Sequence, residues 1–258
     1  MNNNLILSMD LQHPYYLNFL LKYYWAFYPH AFKGELLPGP PAVQDNNNLW
    51  TNVFEHCLMS GVYAEVLADK LGLNDPDKKD VVMAACLHDW HKKHETLKQK
   101  QLIKAGQFTL EAFLDILNIE ENFLKGFGFY SDKVIELTGA TLPKVDKSCN
   151  LISPVTIQQK IIWFVDAMLT GIEINEIDKR FNNLEAGIYY GIADPKKAER
   201  NCAFSNLFKP WYGMSLYDMQ RKLAITISKE FCDLTGFISE PENLPIYLKK
   251  AVFIRLNS

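Results

Sequence analysis

Two apolar segments of this chain each carry ionisable side chains, and this feature constrains the fold more than any other. Val81–Leu87 is a run of seven apolar residues followed directly by His88 and Asp89. Ile161–Leu169 is apolar except for Asp166. Segments that are apolar on every face predict buried helices, in which these groups have no route to water. A bare carboxylate there is costly unless a cation meets it, so the sequence predicts neutralised ionic groups inside a helical core.

The hydrophobic patterning elsewhere in the chain is also helical. In Trp50–Leu71 the apolar positions recur at steps of three and four, and the helix that carries the first apolar segment is expected to begin near Asp77, which can cap it. Residues 109–125 and 131–138 predict two shorter helices separated by a glycine-containing turn.

Capping signals predict the helices of the second half of the chain. Ser153 and Pro154 are expected to start the helix that contains Asp166, and Ser215 with Asp218 to start another that ends before Gly236. A last helix is expected after Pro245. No segment alternates with the period of two that strands require, so the predicted fold class is all-α.

Two aromatic-rich stretches flank this central part. Residues 15–28 predict a buried helix, followed by a loop at Leu36–Asn48, and residues 204–217 are a second aromatic stretch. Either stretch could instead form a contact surface for a partner or a membrane, but large aromatic side chains usually fill interiors. We therefore expect both stretches to pack in the core.

Composition excludes several broad classes. The formal net charge is −3, from 27 Lys and Arg against 30 Asp and Glu, so no overall field attracts nucleic acid or an anionic membrane. The five cysteines form no C-x-x-C pair, and we expect free thiols. No apolar run approaches the roughly 18 residues that span a bilayer, and the amino terminus lacks a basic, apolar signal segment. These features predict a soluble, cytoplasmic protein with no membrane partner.

The ionisable groups of the core suggest a metal site. His56 lies at the margin of the apolar stripe of its helix, where a cleft wall is expected. Together with His88, Asp89 and Asp166 it supplies imidazoles and carboxylates from three helices, which is a ligand set for a divalent cation with open positions for water.

The order of these residues resembles the HD-domain superfamily of metal-dependent phosphohydrolases. The matching segments are Phe54-Glu55-His56-Cys57, then Ala85-Cys86-Leu87-His88-Asp89-Trp90-His91-Lys92, then Trp163-Phe164-Val165-Asp166-Ala167-Met168-Leu169. The resemblance covers residues 50–175, and it includes the lysine of the family's HD-x-x-K pattern. It implies an HD-domain helical bundle over residues 49–175, with helical extensions over residues 1–48 and 176–258.

The resemblance also implies roles for individual residues. His56, His88, Asp89 and Asp166 would bind the metal, and Asp89, Lys92 and His91 would take part in catalysis, with His91 binding substrate or protonating the leaving group. No histidine lies between residue 95 and Asp166, where branches with two metals carry extra histidines, so one divalent ion (Mn, Fe, Co, Ni, Zn or Mg) is expected. His91 or His94 as an additional ligand remains an alternative.

The expected function is hydrolysis of a phosphoester in a small molecule, a nucleotide being favoured because the chain has no extended basic face. A second possibility is an HD-type nuclease of the CRISPR-associated kind acting on single-stranded nucleic acid, since Lys98, Lys100 and Lys104 follow the metal doublet. These lysines are equally consistent with a solvated helix face. A third possibility is a non-catalytic module that binds a ligand or partner.

Overall fold

In the computed structural model the described residues are 13–32, 51–141, 144–145, 151–152, 154–189, 191–236 and 240–257. Within these ranges the chain is mostly helical, and its strands are limited to short two-residue pairs. The prediction of an all-α fold is therefore confirmed. The predicted loop at Leu36–Asn48 lies outside the described residues.

The first aromatic stretch forms two helices instead of the one that was predicted. These helices, α1 (Pro14–Lys22) and α2 (Tyr24–Phe32), are separated at Tyr23, which leaves helical geometry with φ −113° and ψ 27°. The stretch is also not buried throughout, because one face remains open to solvent. That face includes Leu17, Leu21, Tyr24 and Trp25.

Helix α3 (Thr51–Lys70) packs against α4 (Asp75–Leu87), whose apolar segment is buried as predicted. Six of the seven side chains from Val81 to Leu87 are buried. The start of α4 differs from the prediction, since Asn74 caps it by accepting a hydrogen bond from the backbone N–H of Asp77. Pro76 therefore lies in the first turn of α4, where a missing N–H costs nothing.

Three helices follow along the chain: α5 (Lys92–Lys104), α6 (Leu110–Phe127) and α7 (Asp132–Thr138). The last two match the predicted pair, and Gly128 ends α6 in the left-handed conformation with φ 74°. A 3₁₀ turn at Gly139–Thr141 and the strand pair β1 (Lys144–Val145) and β2 (Leu151–Ile152) lead towards the second apolar helix.

The second apolar helix is α8 (Ile157–Met168). Its cap is Thr156, which forms a reciprocal capping box with Gln159. The predicted cap at Ser153 and Pro154 is therefore placed too early, because Thr156 carries the hydroxyl that reaches the free N–H groups of the first turn; Ser153 itself lies outside the described residues. The hairpin of β3 (Leu169–Thr170) and β4 (Glu173–Ile174) follows α8 directly.

The carboxy-terminal part is mostly helical and contributes buried residues to the main hydrophobic cluster. Ser215 caps the helix Leu216–Thr235, which has Asp218 in its first turn, and Gly236 ends that helix with φ 64°, both as predicted. The elements are α9 (Ile177–Glu185), the pair β5 (Ile188–Tyr189) and β6 (Ile192–Ala193), α10 (Pro195–Leu207), α11 (Lys209–Tyr212), α12 (Leu216–Thr235), a 3₁₀ turn at Pro241–Asn243, and α13 (Leu244–Leu256).

One large hydrophobic cluster joins helices from the start, middle and end of the chain. A second, smaller cluster contains Phe208 of the second aromatic stretch with Leu110 and Phe113 of α6, and the partly buried ring of Phe204 packs against it. The expectation that this stretch packs in the core is thus confirmed for Phe208.

Two further sequence predictions concern the cysteines and the membrane. The four described cysteines (Cys57, Cys86, Cys202 and Cys232) are free thiols, as expected, while Cys149 lies outside the described residues. Over the described part of the chain, no helix combines the length and the apolar character needed to cross a bilayer.

Candidate metal centre

The structure brings together the four side chains that the sequence suggested as metal ligands. His56 projects from α3, His88 and Asp89 follow the end of α4, and Asp166 lies near the end of α8. One potential ligand atom from each side chain lies within 4.8 Å of the corresponding atoms of the other three. Among the described residues, no other group of His, Cys, Asp or Glu side chains meets this criterion.

Three of these ligand atoms form a tight triangle. The Nε2 atoms of the two histidines, His56 and His88, are 3.1 Å apart. The Oδ1 atom of Asp166 lies 3.2 Å from Nε2 of His56 and 3.1 Å from Nε2 of His88. The Oδ2 atom of Asp89 stands slightly farther away, at 4.0 Å and 3.8 Å from the same two nitrogens.

Backbone carbonyls determine which ring nitrogen of each histidine carries the hydrogen. Nδ1 of His56 lies 2.9 Å from the carbonyl oxygen of Gly171, and Nδ1 of His88 lies 2.7 Å from that of Ala85. A carbonyl oxygen can only accept, so each Nδ1 donates its hydrogen. In the neutral rings both Nε2 atoms are then bare acceptors, and they face each other and a carboxylate oxygen. Such an arrangement is repulsive until a cation or a proton enters it.

The donor set fits a divalent cation. Ligand atoms about 2.1 Å from one ion are about 3.0 Å apart at a right angle and about 3.4 Å apart at the tetrahedral angle. The triangle of His56, His88 and Asp166 has edges in this range. Mixed imidazole and carboxylate ligands suit several divalent metals, and Nδ1–H donation to a carbonyl is the usual outer-shell bond of a metal-binding histidine.

Burial and the neighbouring charges shift the pKa values of the group in opposite directions. Burial by itself lowers the pKa of His88, but the carboxylates of Asp166 and Asp89 outweigh burial and raise that pKa to about 9. Burial by itself raises the pKa of Asp166, and the two imidazoles reverse this effect and hold the pKa well below its usual range. The two carboxylates therefore stay charged and demand a positive partner at neutral pH.

Lys92 lies beside this group and pairs with the other side of Asp89. Its Nζ atom is 3.2 Å from Oδ1 of Asp89, whereas Oδ2 of the same carboxylate faces the imidazoles. Glu95, one helical turn farther along α5, lies 3.4 Å from the same ammonium. Burial alone would raise the pKa of Asp89, but the Lys92 ammonium and the imidazoles of His88 and His56 lower it below its usual value.

The group opens to solvent on the carboxylate side, contrary to the expectation that it has no route to water. The side chains of Asp166 and Asp89 are 27% and 18% exposed to solvent, whereas that of His88 is 1% exposed. Asp166 lies at the point where one face of the apolar helix α8 turns towards this opening. The two carboxylate side chains are therefore in contact with solvent.

His91 and His94, the possible additional ligands, are not part of the group of four. His91 is buried, and its ring packs 4.5 Å from that of Trp90 and 4.7 Å from that of His94. Phe123 lies on the same side, with ring centroids 6.4 Å apart. The roles of His91 in substrate binding or proton donation stay predictions.

Sequence analysis missed several residues that support the site. Gly171 has φ 60° in the turn between β3 and β4, and its carbonyl holds the His56 ring. Arg180 of α9 donates to the carbonyl of Ala167 at 2.9 Å and to Thr170 Oγ1 at 3.1 Å, so it secures the same hairpin. Glu95 could have been found from its spacing of three residues beyond Lys92, whereas Gly171 and Arg180 give no local signal.

The chain was also compared with known proteins. Protein-family models, curated proteins and solved structures were each searched, and none of the three comparisons returned a match.

Proposed function

We propose that this protein is a metal-dependent phosphohydrolase that cleaves a phosphoester of a small molecule, a nucleotide being the favoured substrate. The observation that carries the proposal is the triangle of His56, His88 and Asp166, in which three acceptor atoms face one another at 3.1–3.2 Å. The order of these residues along the chain resembles that of the HD-domain superfamily of phosphohydrolases. This resemblance supports a phosphoester as the substrate of the metal centre.

The residues divide into ligands and groups that act on the substrate. His56, His88, Asp89 and Asp166 would hold one divalent ion, which supplies an activated water and polarises a phosphoryl oxygen when bound. Lys92 is partly exposed beside the carboxylates, so its ammonium is placed to stabilise negative charge on a phosphoryl group. Asp89 connects the metal ligands with Lys92, because one of its carboxylate oxygens faces the imidazoles and the other faces the Lys92 ammonium.

Aromatic rings near the site favour a nucleotide over other phosphoesters. Phe123, which packs beside His91, is partly exposed, and so are Phe129 and Trp25, whose rings are 5.2 Å apart. Exposed rings of this kind are suited to stack on a nucleobase. The ring of Phe127 lies between these groups, 6.4 Å from that of Phe123 and 5.5 Å from that of Phe129.

One observation favours a nuclease as the second candidate. Helix α5 begins three residues after Asp89 and exposes the predicted lysines Lys98, Lys100 and Lys104 to solvent. Exposed ammonium groups on the helix that follows the His-Asp doublet suit contact with a phosphate backbone. Under this alternative the substrate is single-stranded nucleic acid and the metal ligands are the same.

The test is metal analysis of the purified protein, followed by phosphatase and nuclease assays with Mn, Ni, Co, Zn and Mg. The same measurements are made on Asp89→Ala and on Asp80→Ala, which removes a carboxylate from α4, the helix that precedes Asp89. We expect wild type and Asp80→Ala to bind one equivalent of metal and to release phosphate. Asp89→Ala should lose both properties.

Each alternative has its own outcome. Degradation of single-stranded DNA with Mn or Ni, with no phosphate released from nucleotides, would favour the nuclease. A protein that binds no metal and leaves every phosphoester intact would favour the non-catalytic module. Full activity of an Asp89→Ala protein that had lost its metal would falsify the proposed mechanism.

A further inference from the structure

His30, near the end of α2, reaches the interior beside the helix that carries the His-Asp doublet. Its side chain is fully buried, and its Nε2 atom lies 3.0 Å from the carbonyl oxygen of Cys86. Since a carbonyl only accepts, Nε2 carries the hydrogen and Nδ1 is the bare nitrogen. Nδ1 has no hydrogen-bond partner within the described structure. The one bond that His30 makes therefore goes to the last turn of α4.

This bond lies at the end of α4, directly before the His88-Asp89 doublet. The last four carbonyl groups of a helix lack partners within that helix. The chain itself supplies two partners here, since Nδ1 of His88 binds the carbonyl of Ala85 and the N–H of Trp90 binds that of Leu87. The carbonyl of Cys86, between them, receives its hydrogen from His30, 56 residues away.

The surroundings of Cys86 leave little room for this turn to shift. A Cβ atom at Gly61 of α3 would lie 2.3 Å from the sulfur of Cys86, so the two helices are in close contact at that level. Helix α2 is held in turn, because the hydroxyl of Tyr130 donates to the carbonyl of Trp25 at 2.8 Å. His30 thus connects a secured helix to the turn that precedes His88.

We propose that His30 is a positioning residue for the metal centre. By donating to Cys86 it holds the end of α4 so that His88 and Asp89 both face the ligand atoms of His56 and Asp166. The inference rests on the proposed metal centre and adds a residue from outside the segment that resembles the HD domain. The amino-terminal helices, which the resemblance leaves without a role, then complete the site.

The test compares three variants of the full chain by calorimetric titration with Mn²⁺ and by thermal unfolding. His30→Leu removes the donor, and we expect Mn²⁺ affinity to fall about tenfold, as for loss of an outer-shell bond in other metal sites. His30→Gln places an amide N–H near the position of Nε2, and its Mn²⁺ affinity should stay close to that of wild type. Phe27→Leu, a buried ring on the same helix beside His30, controls for loss of packing and should also keep its affinity.

The outcomes separate this inference from the proposed function. If wild type binds no Mn²⁺ or other divalent ion, the metal centre fails and the inference fails with it. Two other outcomes overturn only the role of His30, given that wild type binds Mn²⁺. In the first, His30→Leu binds Mn²⁺ as tightly as wild type does. In the second, Phe27→Leu loses as much Mn²⁺ affinity as His30→Leu does.

A further pair of variants covers the case in which His30→Leu does not fold. His30→Asn places its amide near the position of Nδ1 and leaves the Cys86 carbonyl without a donor, while His30→Gln restores one. Weaker Mn²⁺ binding by His30→Asn than by His30→Gln supports the positioning role. Equal binding by these two variants overturns it.

Discussion

The Nε2 atoms of His56 and His88 face each other 3.1 Å apart, while the Nδ1–H of each ring donates a hydrogen bond to a backbone carbonyl. Two bare acceptors at this distance repel unless positive charge lies between or beside them. Asp166 adds a third acceptor to the same triangle. This arrangement could hold a cation in the folded protein, and the predictions about metal and pH follow from that proposal.

Removal of the metal should lower the stability of the protein. An ion that binds only the folded state stabilises it by about 2.7 kcal/mol when its concentration is a hundred times its dissociation constant. We expect the melting temperature of Mn²⁺-loaded wild type to fall on addition of EDTA, measured by differential scanning calorimetry. Asp166→Asn removes the negative charge of one ligand, so its melting temperature should change little on addition of EDTA. An equal decrease in both proteins would place the stabilising ion elsewhere.

The pH dependence of stability should have opposite signs with and without metal. In the metal-free protein the carboxylates raise the pKa of His88 to about 9, above its usual 6.5. Protonated His88 therefore stabilises the folded state fully below about pH 6.5, and this contribution is lost as the pH rises through 9. Urea unfolding of wild type and His88→Gln should show a stability difference that shrinks over this range. With metal bound, the proton is displaced, so affinity for the ion should fall as the pH is lowered.

Replacement of Lys92 should separate catalysis from metal binding. Lys92→Met removes the ammonium beside Asp89 but leaves all four ligand side chains, so we expect the metal to remain and kcat to fall by about a hundredfold. Metal content and steady-state rates on a nucleotide substrate measure the two effects. Lys98→Met, an exposed lysine of the same helix, should leave both unchanged. Loss of activity on single-stranded DNA in Lys98→Met would instead support the nuclease.

Gly61 is expected to be essential for the packing of α3 on α4. An added Cβ would lie 2.3 Å from the sulfur of Cys86 and 3.0 Å from the ring of Phe19. Gly61→Ala should therefore lower the free energy of unfolding by about 1–3 kcal/mol, as overpacking does in other cores. Gly126→Ala, in α6 with nothing within 4 Å of the added atom, should raise it by about 0.5–1 kcal/mol. Urea unfolding of the two variants tests both signs.

Glu65 ties the amino-terminal helices to α3. Its buried carboxylate accepts hydrogen bonds from Lys22 at 2.6 Å, Tyr23 at 2.9 Å and Tyr15 at 3.2 Å. Glu65→Ala leaves the Tyr23 hydroxyl buried without its acceptor, so we expect a loss of about 2–3 kcal/mol in the free energy of unfolding. Glu121→Ala, which breaks an exposed pair with Lys125, should cost no more than about 0.5 kcal/mol. Comparable losses would contradict the role given to Glu65.

Sequence patterns predicted helices well and their exact starts less well. Ser215 and Gly236 bound α12 as expected because a cap hydroxyl and a left-handed glycine act within one turn. At α4 and α8, however, several residues near the start could cap, and Asn74 and Thr156 do so instead of the predicted ones. The break at Tyr23 and the exposed side chains on both sides of it were also missed, since the helical pattern continues across them.

The chain's own residue order was enough to single out His56, His88, Asp89 and Asp166, because a charged group inside an apolar helix is costly and needs a partner. Only the tertiary structure decided that their ligand atoms share one centre, that backbone carbonyls hold both imidazoles in the same tautomer, and that His30 supports the doublet. The contacts that bring His56, Asp166 and His30 to the doublet and to the hairpin join residues 32 to 115 positions apart, whereas the bond from His88 to Ala85 is local. Local pattern determines which side chains must be neutralised, whereas the packing of helices determines what neutralises them.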